Sequence, residues 1–436
     1  MLLLHTSDWH IGRSFHGTGL LESQRAVLDQ LVATVRERGV DAVLLAGDVY
    51  DRALPPADAV RLLDETLAAI RAAGAQVVMT SGNHDSAVRL GFGGALMAAS
   101  GVHLRTDPAR LAEPILLEGR DGERAAVYGI PYLEPRHLGP EWGVAPHHTP
   151  VMQEAVRRIR EDLASRRQNP DDGPLASVVL AHLFAAGGRG SEGERDIGEG
   201  EHLVAGSGEG SGAGEDEHLG SGGGERLGVG EREGPRAGAP DPEALVGTLG
   251  QVPVSVFEGL DYVALGHLHG RQRMAEHVRY SGSPLPYSFG EWRQDKGGWL
   301  VHVSGGAVTE VEKVDWPGGR QLAVLSGPLA ELLESAEHAW AEDRWVQVTV
   351  TDDERPEKAL ERLRSRFPHV LVFRHEPAGG RQKKEMSYAR AVNEAPSDLA
   401  LTTGFVHHVR ERAADEEERA LLDEALQASR MKETQA

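Results

Sequence analysis

Five short stretches of this chain carry aspartate, histidine and asparagine at close spacing: Ser7-Asp8-Trp9-His10, Gly47-Asp48-Val49-Tyr50-Asp51-Arg52, Gly82-Asn83-His84-Asp85, Ala181-His182-Leu183 and Gly266-His267-Leu268-His269. Carboxylate, imidazole and amide oxygen together suit hard to borderline divalent ions, Mn²⁺ first, with Fe²⁺ and Zn²⁺ as alternatives. The chain has no cysteine, which excludes thiolate sites, disulfides and cysteine nucleophiles. Asp8 and His10 are two positions apart, as are His267 and His269, so in extended backbone each pair points to one side. Asp48 stands centrally in the motif order and has two oxygens with which to bridge two ions. Ions about 3.5 to 4 Å apart can activate water, neutralise a phosphate and stabilise both ends of an in-line displacement. Phosphoester hydrolysis is the reaction such a centre serves.

These motifs must be placed by secondary structure, and each follows a short apolar run. Strands are expected at Leu2 to His5, Ala42 to Ala46, Gln76 to Thr80, Ala125 to Ile130, Ser177 to Ala181 and Tyr262 to Leu265, with amphipathic helices at Glu22 to Glu37 and Ala57 to Ala72. Strands alternating with helices imply an α/β fold whose strand ends line a ligand crevice. Taken singly, each residue has a plainer reading, as a helix cap, turn former or core histidine. Their conjunction on five strand ends outweighs it.

In this order, DWH, GDVYDR, GNHD, AHLF and GHLH, the chain resembles the calcineurin-like metallophosphoesterases. The stretches LLHTSDWHIGR, QVPVSVFEGLDYVALGHLH and YSGSPLPYSFGE are similar to those of the nuclease subunits of bacterial ATPase-nuclease complexes. The resemblance implies a metallophosphoesterase sandwich, with sheets flanked by helices, a small α/β capping domain and a C-terminal helical tail. It implies that Asp8, His10, Asp48 and His269 hold one ion, that Asp48, Asn83, His182 and His267 hold the other, and that both are Mn²⁺. His84 is expected to reach the scissile phosphate and Asp85 to orient its imidazole. The implied activity is hydrolysis of DNA, as an exonuclease on double-stranded ends and an endonuclease on single strands or hairpins. The implied assembly is a homodimer on an SMC-like ATPase in DNA repair and recombination. The chain has no GxxxxGK[ST] loop, so ATP use falls to that partner. Competing readings are a phosphatase or phosphodiesterase for small substrates and a non-catalytic DNA-end scaffold.

The domains are expected at 1–310, 311–380 and 381–436. The formal charge is -21, which argues against a surface coated in basic residues. The excess is local: between Arg189 and Leu245 there are 14 Asp and Glu against 5 Arg, and 17 glycines in 57 residues. That composition cannot offset the entropy of ordering, so 189–245 is expected to be a disordered insertion. Arg13, His16, Asp51 and Arg52 are candidates for contact with a phosphate backbone, and Tyr287, Phe289 and Trp292 for base stacking or for packing. His147 and His148 are expected in a surface loop, and RQKKE after Gly380 as a hinge. The acidic helix Asp415 to Arg430 carries an apolar stripe, Leu421, Leu422, Ala425 and Leu426, that the resemblance docks on the ATPase, with packing against the chain's own capping domain as the competing reading. No window reaches the roughly 18 apolar residues of a membrane span, and the start MLLLH has no basic leader. The expectation is a cytoplasmic, nucleoid-associated protein.

Overall fold

A computed structural model describes residues 1–169, 173–190, 250–377, 399, 401–404, 406 and 414–433. It divides into two compact units, Met1–Leu322 and Ala323–Ala436.

The first unit is built on two six-stranded sheets. In one, Leu2–Thr6, Ala42–Ala46, Gln76–Thr80 and Val102–Arg105 run parallel, and Gly297–Ser304 and Ala307–Asp315 extend it antiparallel beyond Leu2–Thr6. In the other, Arg124–Gly129, Ala176–His182, Tyr262–Gly266 and Val278–Tyr280 are parallel, with the short strands Ile115–Glu118 and Gln272–Arg273 antiparallel at its edges. Apolar residues stand at consecutive positions in the central strands because both faces are covered. Leu3, Leu44 and Val78 meet Val127, Val178 and Ala264 in a core between the sheets. On the outer side of the second sheet, Val179, Val263 and Leu265 pack with Val151, Ala155, Val156 and Ile159 of the helix His148–Arg167. Helices Leu21–Arg38 and Ala57–Ala72 bury Val27, Leu31 and Val35, and Leu62, Leu67 and Ile70.

The second unit has a three-stranded sheet with Trp345–Val350 between Leu322–Gly327 and Val370–His375. Helices Leu329–Glu334 and Ala359–Arg366 contribute Leu332 and Leu363 to its core with Val346, Val348 and Phe367. The helix Glu416–Glu433 leaves Leu421 65 % exposed.

Two expectations need correcting. His148 opens a helix rather than lying in a loop, and its half-buried ring stands 6.2 Å from that of Tyr132. A domain boundary at 310 would cut the strand Ala307–Asp315, which is bonded along its length to Gly297–Ser304, so the first unit continues to Leu322. The glycine-rich insertion from 191 onward and the RQKKE run lie outside the described residues.

Candidate metal centre

The functional side chains leave their strands through turns of unusual backbone. Asp8, His10, Asp48 and His267 have φ of 54°, 43°, 47° and 110°, a region that non-glycine residues rarely occupy. The extended geometry expected for the Asp8/His10 and His267/His269 pairs is therefore not what brings them together. Neighbouring groups hold the turns in place. Gln24 donates to the carbonyls of Trp9 and His10 at 3.2 and 2.7 Å, and Tyr287 Oη donates to that of Trp9 at 2.5 Å. Strained residues persist where surroundings over-determine them, and such places are enriched at functional sites. Glycine allows the close approach: a Cβ on Gly82 would lie 2.1 Å from Asp48 Oδ1, and one on Gly47 2.4 Å from His182 Nδ1.

The donor atoms converge on Asp48. Its Oδ2 lies 3.5 Å from His10 Nε2 and 3.4 Å from His182 Nε2, while its Oδ1 accepts from the His84 amide at 2.9 Å. His182 Nε2 is 3.0 Å from Asn83 Oδ1, and His10 Nε2 is 3.2 Å from His269 Nε2. Three groups, Asp8 with His10 and His269, His10 with Asp48 and His84, and Asp8 with Asp48 and His182, each bring ligand atoms within 4.8 Å of one another. His267 is in none of them: its ring lies 5.4 Å from that of His182, and its backbone amide donates to Asp8 at 3.0 Å.

Tautomers test whether cations fit. His182 Nδ1 faces the Ala46 carbonyl at 3.0 Å and so must donate to it, which turns the Nε2 lone pair of the neutral ring toward two further acceptors, Asn83 Oδ1 and Asp48 Oδ2. His269 Nδ1 donates to Glu291 at 3.4 Å, so its Nε2 presents a lone pair to His10. His10 Nδ1 is buried without a hydrogen-bond partner. A proton or a metal ion must lie between these buried acceptors, and a donor set of imidazole, carboxylate and amide oxygen fits divalent ions.

Electrostatics follow from the same geometry. Burial pushes the Asp8 carboxyl up to about 6, against the pull of His182 and His269. Burial also pushes Asp48 up, but His182 and His10 outweigh it and hold that carboxyl well below the usual range. For His182 burial acts downward, and the Asp48 charge overrides it and raises the imidazole to about 9. Burial takes His10 well below its ordinary value and His267 to about 3.

The expected role of Asp85 is contradicted. Its carboxylate does not orient His84, because it is occupied by the amides of Val49, Tyr50 and Gly82 at 3.0, 2.9 and 2.9 Å. It ties the Asp48 turn to the Asn83 turn instead. The His84 ring is set by the Asp51 carbonyl, which accepts from Nδ1 at 2.9 Å and leaves Nε2 as the atom able to hold or give a proton. Tyr287 and Phe289 are buried in packing, and Arg13 stacks over Tyr287 and pairs with Asp51 at 3.4 Å. Sequence reasoning missed Gln24, Glu291 and Lys296, which surround the centre from a helix and from the turn after Ser288.

Residues 1–151 match the calcineurin-like phosphoesterase family, and residues 319–405 match the type 5 capsule protein repressor C-terminal domain. The chain is 28% identical over 442 residues to the SbcD component of the nuclease SbcCD from Escherichia coli K12, covering 97% of this chain and 96% of that one, and the O157:H7 protein gives the same figures. Among solved structures, the GAP50 anchor of the Plasmodium inner membrane complex superposes with a TM-score of 0.33 at 9% identity, covering 87% of this chain and 98% of that one.

Proposed function

Because residues 1–151 match the calcineurin-like phosphoesterase family, we propose that the chain is the DNA-cleaving component of an ATPase-nuclease complex. The observation that carries this reading is the convergence of Asp8, His10, Asp48, Asn83, His182 and His269 in a chain similar from end to end to a nuclease component.

Two divalent ions, Mn²⁺ foremost, would supply the charge that neutralises a phosphodiester and lowers the pKa of an attacking water. Asp8, His10, Asp48 and His269 would hold one, and Asp48, Asn83, His182 and His267 the other. Asp48 would be shared, and His182 and His10 keep it ionised. His84 acts on the substrate. With Nδ1–H fixed on the Asp51 carbonyl, a proton on Nε2 can pass to the leaving oxygen. Asp85 positions this loop through backbone amides.

The partner in this reading is an SbcC-type SMC-like ATPase, and DNA is the substrate. Homodimer formation is supported by an apolar run beside the third motif: Val88, Phe92 and Leu96 are 86, 85 and 81 % exposed at intervals of four residues. No described helix is long and apolar enough to cross a membrane.

The deciding experiment offers linear plasmid and a chromogenic phosphodiester to the chain with Mn²⁺, alone and with its ATPase partner. Degradation of linear DNA, accelerated by the partner and ATP, is expected. Hydrolysis confined to the small ester would mark a small-substrate phosphodiesterase, and complex formation with no cleavage would mark a scaffold.

A further inference from the structure

Behind His269 lies a buried ion pair that ligand binding alone does not require. Glu291 Oε1 accepts from His269 Nδ1 at 3.4 Å, from Ser288 Oγ at 3.0 Å and from the Tyr287 amide at 3.3 Å. Glu291 Oε2 is paired with Lys296. The Lys296 ammonium also donates to the backbone carbonyl of His269 at 2.8 Å, to Ser283 Oγ at 3.1 Å and to Gln294 Oε1 at 3.0 Å. Both ends of residue 269 are therefore held by one unit, the imidazole through Glu291 and the main chain by Lys296.

The geometry points to Glu291 and Lys296 as positioning residues that fix the tautomer and placement of His269 for a metal ion, an inference that rests on the metal-centre reading above. Stability is a poor explanation for the pair, since a buried ion pair is often no better than apolar residues of the same volume. Placement is a better one. A carboxylate that accepts from Nδ1–H forces the lone pair onto Nε2, the atom facing His10 Nε2 at 3.2 Å, and makes that nitrogen a stronger ligand. Neutral histidine without this partner divides its proton between the two nitrogens and turns freely about χ2. The Lys296 bond to the main chain removes the other freedom, displacement of the loop that carries His267 and His269.

The test uses the full chain. Mn²⁺ binding is followed by the electron paramagnetic resonance signal of the free ion, alongside thermal unfolding by circular dichroism. Wild type is expected to take up two ions. Glu291→Gln, and the double variant Glu291→Gln/Lys296→Met that leaves no buried charge unpaired, are expected to stay folded and to bind one ion about 10- to 100-fold more weakly. Cleavage by both should recover as Mn²⁺ is raised. A purely structural pair would lower the unfolding temperature and leave both affinities unmoved, and that result in either folded variant overturns the inference. Wild type that takes up no Mn²⁺ overturns the metal-centre reading itself, a failure distinguishable from the first.

Discussion

The Nε2 atoms of His10 and His269 face each other across 3.2 Å, and the one on His269 carries a lone pair because its Nδ1–H is given to Glu291. A proton on His10 Nε2 can bridge the pair, and a divalent ion bound by both rings would replace it while also engaging Asp48, 3.5 Å from His10 Nε2. Divalent ions should therefore stabilise the fold as well as enable chemistry. At a concentration 100 times the dissociation constant, Mn²⁺ should add about 2.7 kcal/mol for each ion bound, and a chelator should remove it. Thermal unfolding with Mn²⁺ and with chelator checks this, and superimposable curves would contradict it.

His84 gives its Nδ1–H to the Asp51 carbonyl, and is assigned above to the substrate rather than to either ion. Its loss should affect proton transfer and leave ion uptake intact. For His84→Gln, single-turnover cleavage of linear DNA at saturating Mn²⁺ should fall by about 10²- to 10⁴-fold. A variant that also fails to take up Mn²⁺ would place His84 among the ligands.

Gly82 lies against Asp48 so closely that a methyl group has no room, 2.1 Å from Oδ1 and 2.4 Å from the backbone nitrogen. Gly82→Ala should cost about 3 kcal/mol or more and displace Asp48, abolishing ion uptake. Gly19→Ala serves as control, since nothing lies within 4 Å of its added carbon. Equal melting of the two variants would mean that the turn relaxes at little cost.

What was legible in the sequence follows from what these elements bury. Ala42–Ala46 and Ala176–His182 are covered on both faces and read as unbroken apolar runs. Ala307–Asp315 is an edge strand with most positions exposed or half-buried, so its alternation with Glu and Lys gave no such signal. The helix from His148 did carry one, Val151, Ala155, Ile159 and Leu163 at helical spacing, obscured by the surrounding arginines. At the site, residue types pointed to Asp8, His10 and Asp48. Their left-handed backbone was hidden, because spacing cannot report φ. Asp85 was misassigned for a related reason: adjacency to His84 suggested a side-chain partner, while the fold brought three amides closer. Glu291 and Lys296 became visible only once the chain returned to His269 some 20 residues later.

If two chains associate through the exposed apolar run, one charge there should separate them. Phe92→Asp, alone or with Val88→Asp, should shift the chain from dimer to monomer in sedimentation velocity at micromolar concentration. Mn²⁺ uptake should be retained, since neither side chain belongs to the donor cluster. A variant that remains dimeric would move the interface elsewhere.

His5 gives a pH dependence that can be separated from that of the metal centre. Its ring is fully buried, donating from Nε2 to the Leu265 carbonyl at 3.2 Å and accepting at Nδ1 from Tyr262 Oη at 3.0 Å. Burial lowers it to about 3. In the unfolded chain the imidazole titrates near its ordinary value of about 6.5, so between these two values the unfolded state binds a proton that the folded state refuses. The stability contributed by neutral His5 is thus complete above about pH 6.5 and is lost as pH falls toward 3, at up to about 1.4 kcal/mol per pH unit. Asp8 and Asp85, both raised to about 6 chiefly by burial, act in the opposite sense, since protonating them favours the fold as pH drops through 6. They are common to wild type and to His5→Gln, whose amide can make the same two hydrogen bonds without titrating. In metal-free protein the stability of wild type relative to His5→Gln should therefore decline steadily from pH 7 to pH 5. A difference that stays constant over that range would mean His5 is protonated in the fold, and that the Leu265 and Tyr262 contacts are not those of a neutral ring.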